Sequence, residues 1–205
     1  MSSQPAQLES AEKRHGLGHL LMTAHAAGAA SIPAEFVTVG LLKGAAVFVA
    51  DLVRALNGAG ARPRVEFMRL SSYGPAKESS GMVQLLGDVP ANLAGRPVLL
   101  VDDIVDTGRT IAYAAAQLRQ CGIGDLWTCA LLDTPQRREI AVAIDFVGFS
   151  IGDVFAVGYG TDYAEKYRHL PYIGAADEIQ QSEVAHRSAT PQTSLRPPLT
   201  PIDRI

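Results

Sequence analysis

The chain is short of cysteine and net charge, and each shortage excludes something. Cys121 and Cys129 are its only cysteines in 205 residues, too few for a disulfide framework or a four-ligand zinc site. A formal net charge of -3 supplies no field that would draw in nucleic acid or an anionic membrane. No apolar run reaches the ~18 residues of a membrane span. The opening Met-Ser-Ser-Gln-Pro has neither the basic start nor the apolar core of a secretory signal. These absences lead to the expectation of a cytoplasmic protein with no nucleic-acid or membrane partner. Nucleotide-binding signatures are missing too: there is no G-x-x-x-x-G-K-[ST], and no G-x-G-x-x-G follows a strand. His15 and His19 stand one helical turn apart, but no acidic third ligand accompanies them. A packed or solvated helix face explains that pair better than a metal.

What remains is an ordinary globular composition, 47% apolar and 19% charged, with length for one α/β domain and its core. Residues 1–30 are rich in Ala and Leu and read as an N-terminal helical segment, weakened by Gly16, Gly18 and Gly28. Glu35 to Leu42 turns fully apolar, like a buried strand. A helical pattern starts at Gly44, carries Val47, Leu52, Val53 and Leu56, and ends at Gly58 and Gly60. Arg64 to Leu70 reads as a second strand, Pro97 to Asp102 as a third and Leu126 to Leu132 as a fourth. Thr110 to Gln120 reads as a helix stopped by Gly122. Phe146 to Phe149 and Phe155 to Tyr159 are expected to complete the sheet. Strands alternating with helices predict a mostly parallel, twisted α/β sheet. Residues 73 to 95 show no sustained period and read as a long functional loop. Residues 175–205 hold four prolines and few large apolar groups; they read as a disordered tail unable to offset its ordering entropy. The core domain is therefore expected over 31–174.

The most informative stretch is Val98-Leu99-Leu100-Val101-Asp102-Asp103-Ile104-Val105-Asp106-Thr107-Gly108-Arg109-Thr110. An apolar strand ends in two carboxylates, a third follows, and a small hydroxyl-rich turn opens a helix. The carboxyl end of a strand, just before a helix N-terminus, is where open α/β sheets bind ligands. Backbone N–H groups of such a turn hold a phosphate, helped by the helix dipole. Carboxylates beside a phosphate repel the ligand unless they face its hydroxyls or a bridging cation. The segment asks for a sugar phosphate with free hydroxyls, together with Mg²⁺. The plainer alternative is that Asp106 or Thr107 only caps the helix.

This segment resembles the phosphoribosyl-diphosphate (PRPP) signature of the type I phosphoribosyltransferases. Three further blocks narrow the resemblance to the hypoxanthine/guanine branch: Val39-Gly40-Leu41-Leu42-Lys43-Gly44, Val65 to Gly74, and Val154 to Gly174. The likeness spans roughly residues 37 to 174 with the blocks in order. It implies a parallel sheet flanked by helices, a small hood and a mobile lid loop. The implied reaction joins PRPP to hypoxanthine or guanine, giving IMP or GMP and pyrophosphate in purine salvage, with Mg²⁺ as cofactor. Self-association as a dimer or tetramer is implied as well.

By that resemblance, Thr107, Gly108, Arg109 and Thr110, with the Asp106 backbone, wrap the 5-phosphate. Asp102 and Asp103 hold the ribose hydroxyls and, with Asp162, the metal. Carboxylates there also favour positive charge developing on the ring. Asp106 moves a proton at the purine imidazole edge. Lys43 and Gly44 form the pyrophosphate loop, and Arg168 is the second diphosphate cation. Phe155 stacks on the base, a contact worth roughly 1–3 kcal/mol in comparable settings, and the Ala156 backbone reads the base edge. Ser72, Tyr73 and Gly74 begin the lid that excludes water.

The family pattern is broken in two places. A lysine that donates to the purine 6-oxygen usually precedes the proline of a Leu-Leu-x-Lys-Pro segment. This chain has Leu131-Leu132-Asp133-Thr134-Pro135, so Thr134 takes that purine-binding position, with Arg137 or Arg138 as the nearby cations. The lid reads Ser80-Gly81-Met82-Val83-Gln84, without the family's charged contact. Both departures favour two alternatives: a catalytically weak PRPP- or nucleotide-binding regulator, or a phosphoribosyltransferase for another base.

Overall fold

The structure, a computed structural model, describes residues 32–71 and 83–176. The expected N-terminal helices, the lid residues Ser72, Tyr73 and Gly74, and all but the first two residues of the expected tail lie outside that range. In chain order the elements are β1 (Val37–Leu42), α1 (Ala46–Gly58), β2 (Arg64–Ser71), β3 (Gln84–Leu85), β4 (Val98–Val105) and α2 (Arg109–Gln120). Then come β5 (Leu126–Asp133), a 3-10 turn (Pro135–Arg137), β6 (Phe146–Ser150), β7 (Ala156–Val157) and β8 (Gly174–Ala175). No described helix is long and apolar enough to cross a membrane.

Six strands form one sheet in the order β3-β2-β1-β4-β5-β6. All pairs are parallel except β2 with the short β3. Apolar strands are buried on both faces of such a sheet. Leu99 and Val101 of β4 join Phe48, Val49, Leu52 and Leu56 of α1 on one side. Val98 and Leu100 join Ile111, Ala114, Ala115 and Leu118 of α2 on the other. Each helix thus buries a single stripe against one face, the packing that fixes where its N-terminus points.

The order places a topological switch between β1 and β4. The chain leaves β1 through α1 toward β2 on one side, and leaves β4 through α2 toward β5 on the other. Diverging connections open a crevice at the carboxyl ends of these two strands. Val37 pairs with Val98 and Gly40 with Val101. Continuing that register sets Leu42 level with Asp103, so the residues after β1 and the acids of β4 face one another.

Three expectations are corrected. The third strand does not stop at Asp102 but runs to Val105, because Ile104 and Val105 still pair with Leu132 and Asp133. Asp102 and Asp103 therefore sit inside a strand. The stretch Phe155 to Tyr159 does not complete the main sheet: Ala156 and Val157 pair antiparallel with Ala175 and Gly174 in a separate two-stranded sheet. Left-handed φ values at Gly158, Tyr159 and Gly160 (95°, 53° and 102°) end extension after two residues. Lastly, Ala175 belongs to β8 and Ala176 is buried, so ordered chain continues past residue 174.

Candidate active site

One side of the crevice is built around the β4–α2 turn. Gly108 is the N-cap of α2 at φ 84°, with no side-chain cap and no acidic residue in the first turn. Asp106 therefore does not cap the helix, while Thr107 Oγ1 accepts the Arg109 N–H at a long 3.4 Å. Only a residue tolerant of positive φ fits here, and a Cβ on Gly108 would stand 2.6 Å from the Ile140 carbonyl oxygen. The turn is stapled from outside by residues 138–140. The backbone N–H groups of Glu139 and Ile140 both donate to the Thr107 carbonyl at 3.0 Å. Arg138 donates to the Asp106 carbonyl at 2.9 Å and the Val105 carbonyl at 3.1 Å, and pairs with Asp133. Arg109 is held by Glu139 at 2.5 Å. A helix N-terminus is a favourable place for an anion, and here the Arg109 N–H also meets Thr107 Oγ1.

The two acids of β4 form a closely coupled pair. Asp102 is buried and its Oδ1 accepts the Asp103 backbone N–H at 3.0 Å. Burial pushes the Asp102 carboxyl well above the ordinary 3.8, and the adjacent Asp103 charge adds to the shift. Burial raises Asp103 as well, while its hydrogen bond with Asp102 and the Arg168 charge pull it back. Such a pair favours hydroxyl donors or a cation as company.

Gly44 ties this pair to the loop after β1. A Cβ there would lie 2.1 Å from Asp103 Oδ2 and 2.4 Å from Oδ1, so only glycine lets the carboxylate reach the loop. The Leu42–Lys43 peptide is cis. Lys43 Nζ reaches Glu165 at 2.9 Å, and that hydrogen bond lowers the Glu165 carboxyl. Arg168 donates to the Gly160 carbonyl at 2.7 Å and pairs with Asp162 at 2.6 Å and Glu165 at 3.7 Å. Lys43, Phe155, Asp162 and Arg168 line one cavity of about 640 Å³, with Arg69, Ser71, Tyr163 and Glu165 beside them.

Asp162 is brought into this cavity but not into a metal cluster. Its carboxylate also accepts the Glu165 backbone N–H at 2.7 Å. Among the described residues no group of three or more His, Cys, Asp or Glu stands ready for a metal ion. The side chains best suited to a divalent cation are the buried Asp102 and the half-buried Asp103.

Farther along the crevice, Phe155 is 49% exposed and its ring meets Tyr163 edge-on at 5.3 Å. Ala156 is buried within its pairing to Ala175, and the Phe155 carbonyl accepts the Ala176 N–H at 2.8 Å. Thr134 is 1% exposed, its backbone N–H goes to the Val105 carbonyl at 3.1 Å, and its hydroxyl has no partner. Arg137, in contrast, lies over the Phe155 ring at 5.5 Å and reaches Asp106 Oδ2 at 3.4 Å and Asp153 at 2.5 Å. Among the described residues, four buried side-chain polar atoms lack a hydrogen-bond partner; three are Asp106 Oδ1, Thr134 Oγ1 and Arg168 Nε. Buried polar atoms are nearly always paired, so each of these three is a candidate partner for a polar ligand.

Sequence reading passed over Arg69, Glu165 and Tyr163. Arg69 was readable as a cation at the carboxyl end of a parallel strand. Glu165 carried no local signal, because its role depends on cations 122 and three residues away.

Fold and crevice together define a phosphoribosyltransferase, and the chain belongs to that family: a model of the phosphoribosyl transferase domain matches residues 25–164. It is 46% identical over 140 residues to the hypoxanthine phosphoribosyltransferase of Salmonella typhimurium, covering 68% of this chain and 77% of that protein. It is 42% identical over 136 residues to the hypoxanthine-guanine phosphoribosyltransferase of Bacillus subtilis, covering 66% and 74%. The crystal structure of a hypoxanthine phosphoribosyltransferase from Staphylococcus aureus superposes with a TM-score of 0.70 at 35% identity, covering 82% of this chain and 89% of that one. Within the family the chain falls in the hypoxanthine/guanine branch, and its fold is that of the type I enzymes.

Proposed function

We propose that the protein transfers the 5-phosphoribosyl group of PRPP to hypoxanthine or guanine, forming IMP or GMP and pyrophosphate. The observation that carries this reading is the contact of Asp103 with Gly44 at the switch point, which joins the acids of β4 to the loop after β1. One sugar phosphate can then span both: its 5-phosphate on the N–H groups of Thr107 to Thr110, its diphosphate toward Lys43 and Arg168. Asp102 and Asp103 accept the ribose hydroxyls between these ends and favour positive charge on the ring as the diphosphate leaves. Phe155 stacks on the flat base, and Asp106 takes the proton from its imidazole edge. Mg²⁺ bound with the substrate offsets charge on the departing diphosphate, and Asp102 with Asp103 are the side chains suited to hold it. Asp162 joins them only if its pairing with Arg168 is released.

The cytoplasm is the compartment we assign, in keeping with the unpaired Cys121 and Cys129. Self-association as a dimer or tetramer is part of the same reading, supported by Val65 and Phe67, each 40% exposed on β2.

Purified protein is expected to release pyrophosphate from PRPP and Mg²⁺ with hypoxanthine or guanine across a panel of purines and pyrimidines. Changing Asp102→Ala together with Asp103→Ala is expected to lower kcat/KM by about a thousandfold or more. Full activity in that double variant defeats the assignment. PRPP binding without product from any base supports the regulator instead.

A further inference from the structure

We infer that Arg137, and not Thr134, is the residue that reads the 6-oxo group of the base. The inference rests on the purine reading above. Thr134 stands where the branch has its donor lysine, yet it is 1% exposed, and a short hydroxyl at that depth cannot follow a base in the crevice. Two residues past Pro135 the chain supplies a replacement. The 3-10 turn Pro135–Arg137 carries the Arg137 guanidinium out over the Phe155 ring, 5.5 Å from its centre. That is the same ring on which the base is to stack.

The second observation is spacing. Arg137 Nη1 stands 3.4 Å from Asp106 Oδ2, so a cationic donor and a carboxylate acceptor lie side by side at the mouth of the base site. A 6-oxopurine protonated on N7 shows the complementary pair on one edge, an N–H donor next to a carbonyl acceptor. Asp106 accepts from N7–H and Arg137 donates to O6. A 6-aminopurine turns a donor toward the guanidinium and is rejected, because two donors cannot satisfy each other. Asp153, 2.5 Å from Arg137 Nε, holds the fork from behind, which leaves its terminal nitrogens for Asp106 and the base. Arg138 does not compete for this role; its guanidinium is engaged with the carbonyls of Val105 and Asp106.

The test compares two ligands that differ at position 6 and in the proton that the 6-oxo form carries on N1. Binding of IMP and of purine riboside 5′-monophosphate, which has hydrogen at that position, is measured by calorimetry. Parallel kcat/KM values are taken with hypoxanthine and unsubstituted purine. Losing a charged donor to a carbonyl weakens binding about 10- to 100-fold. Arg137→Ala is expected to weaken IMP and hypoxanthine by that factor while changing the 6-unsubstituted pair less than about threefold. Arg137→Lys, which keeps a donor, is expected to recover part of the difference. Equal loss for both ligands in both variants overturns the inference and makes Arg137 a prop for Asp106. The calorimetric arm still decides if wild-type protein shows no turnover, a result that counts against the enzyme reading alone.

Discussion

The two banks of the crevice are built by different means. On the 102–110 bank the candidate ligand-facing groups are the Asp102, Asp103 and Asp106 carboxylates and a backbone turn, set by a central strand, a helix start and staples from residues 138–140. On the 155–168 bank they are side chains, set by an ion network of Lys43, Asp162, Glu165 and Arg168 on an irregular ribbon. Four of the five described non-glycine residues with positive φ are Tyr159, Ala164, Glu165 and Tyr167, so backbone strain is concentrated on that second bank. The difference matters for function. On the proposed reading the first bank positions the phosphate, while the ion pairs of the second release their cations to a diphosphate and take them back.

The largest expected effect breaks the rigid bank. Gly108→Ala forces a Cβ to 2.6 Å from a main-chain oxygen at φ 84°, and neither the staple nor the helix start can yield cheaply. Stability should fall by about 2 kcal/mol or more, read from urea midpoints, and KM for PRPP should rise about tenfold or more. Gly152→Ala is the control: nothing lies within 4 Å of its added Cβ, so stability should stay within about 0.5 kcal/mol. If Gly108→Ala behaves like that control, the first bank is not rigid.

The same contrast explains what could be read from the sequence. Asp102 to Thr110 was legible because a buried parallel strand, an acid pair and a glycine-opened helix each impose a local pattern. Lys43 and Gly44 were legible for a similar reason, being a strand-to-helix turn with a required glycine. The helix and main-sheet strands came out within a few residues. The reading of Phe155 to Tyr159 as a sheet strand failed because its apolar residues face a small sheet of their own, and periodicity does not tell which partner a strand has. Thr134 and the pair Arg137 or Arg138 were named from the sequence, but that Arg137 is the one over the Phe155 ring depends on a 3-10 turn that no alternation announces. Glu165 lay further out of reach: an exposed glutamate looks the same whether solvated or bridging two cations.

A smaller effect probes the exchangeable bank. Glu165 ties Lys43 and contacts Arg168, yet the Lys43–Glu165 pair is more than half exposed on both sides. Exposed pairs contribute little to stability, because water screens them. Glu165→Gln should therefore leave the melting temperature nearly unchanged and, by releasing Lys43, lower KM for PRPP about two- to threefold at low salt. Added salt should erase the gain, because screening weakens the original pairing too. A higher KM in this variant identifies Glu165 as a support for the cations rather than a competitor for them, and the two banks are then equally rigid.

The smallest expected effect is one of stability, at Asp102. Its folded carboxyl is raised above 3.8 by burial and by Asp103, so the native state binds more protons than the unfolded chain above about pH 4. Stability then falls as pH rises from the ordinary carboxylate value through the raised one, and the loss is complete above it. Asp102→Asn keeps an oxygen for the Asp103 N–H and removes the charge. Without PRPP or divalent cation, it should melt about 2–4 °C higher than wild type near neutral pH. That gain should shrink toward zero as the pH is lowered to about 4, where the wild-type acid is itself neutral. Activity should drop in the same variant, which separates the two demands on this residue: ligand binding needs the charge that folding would discard. A variant that melts lower near neutral pH would show the buried charge to be compensated within the protein, and the acid pair would then need neither hydroxyls nor a cation for company.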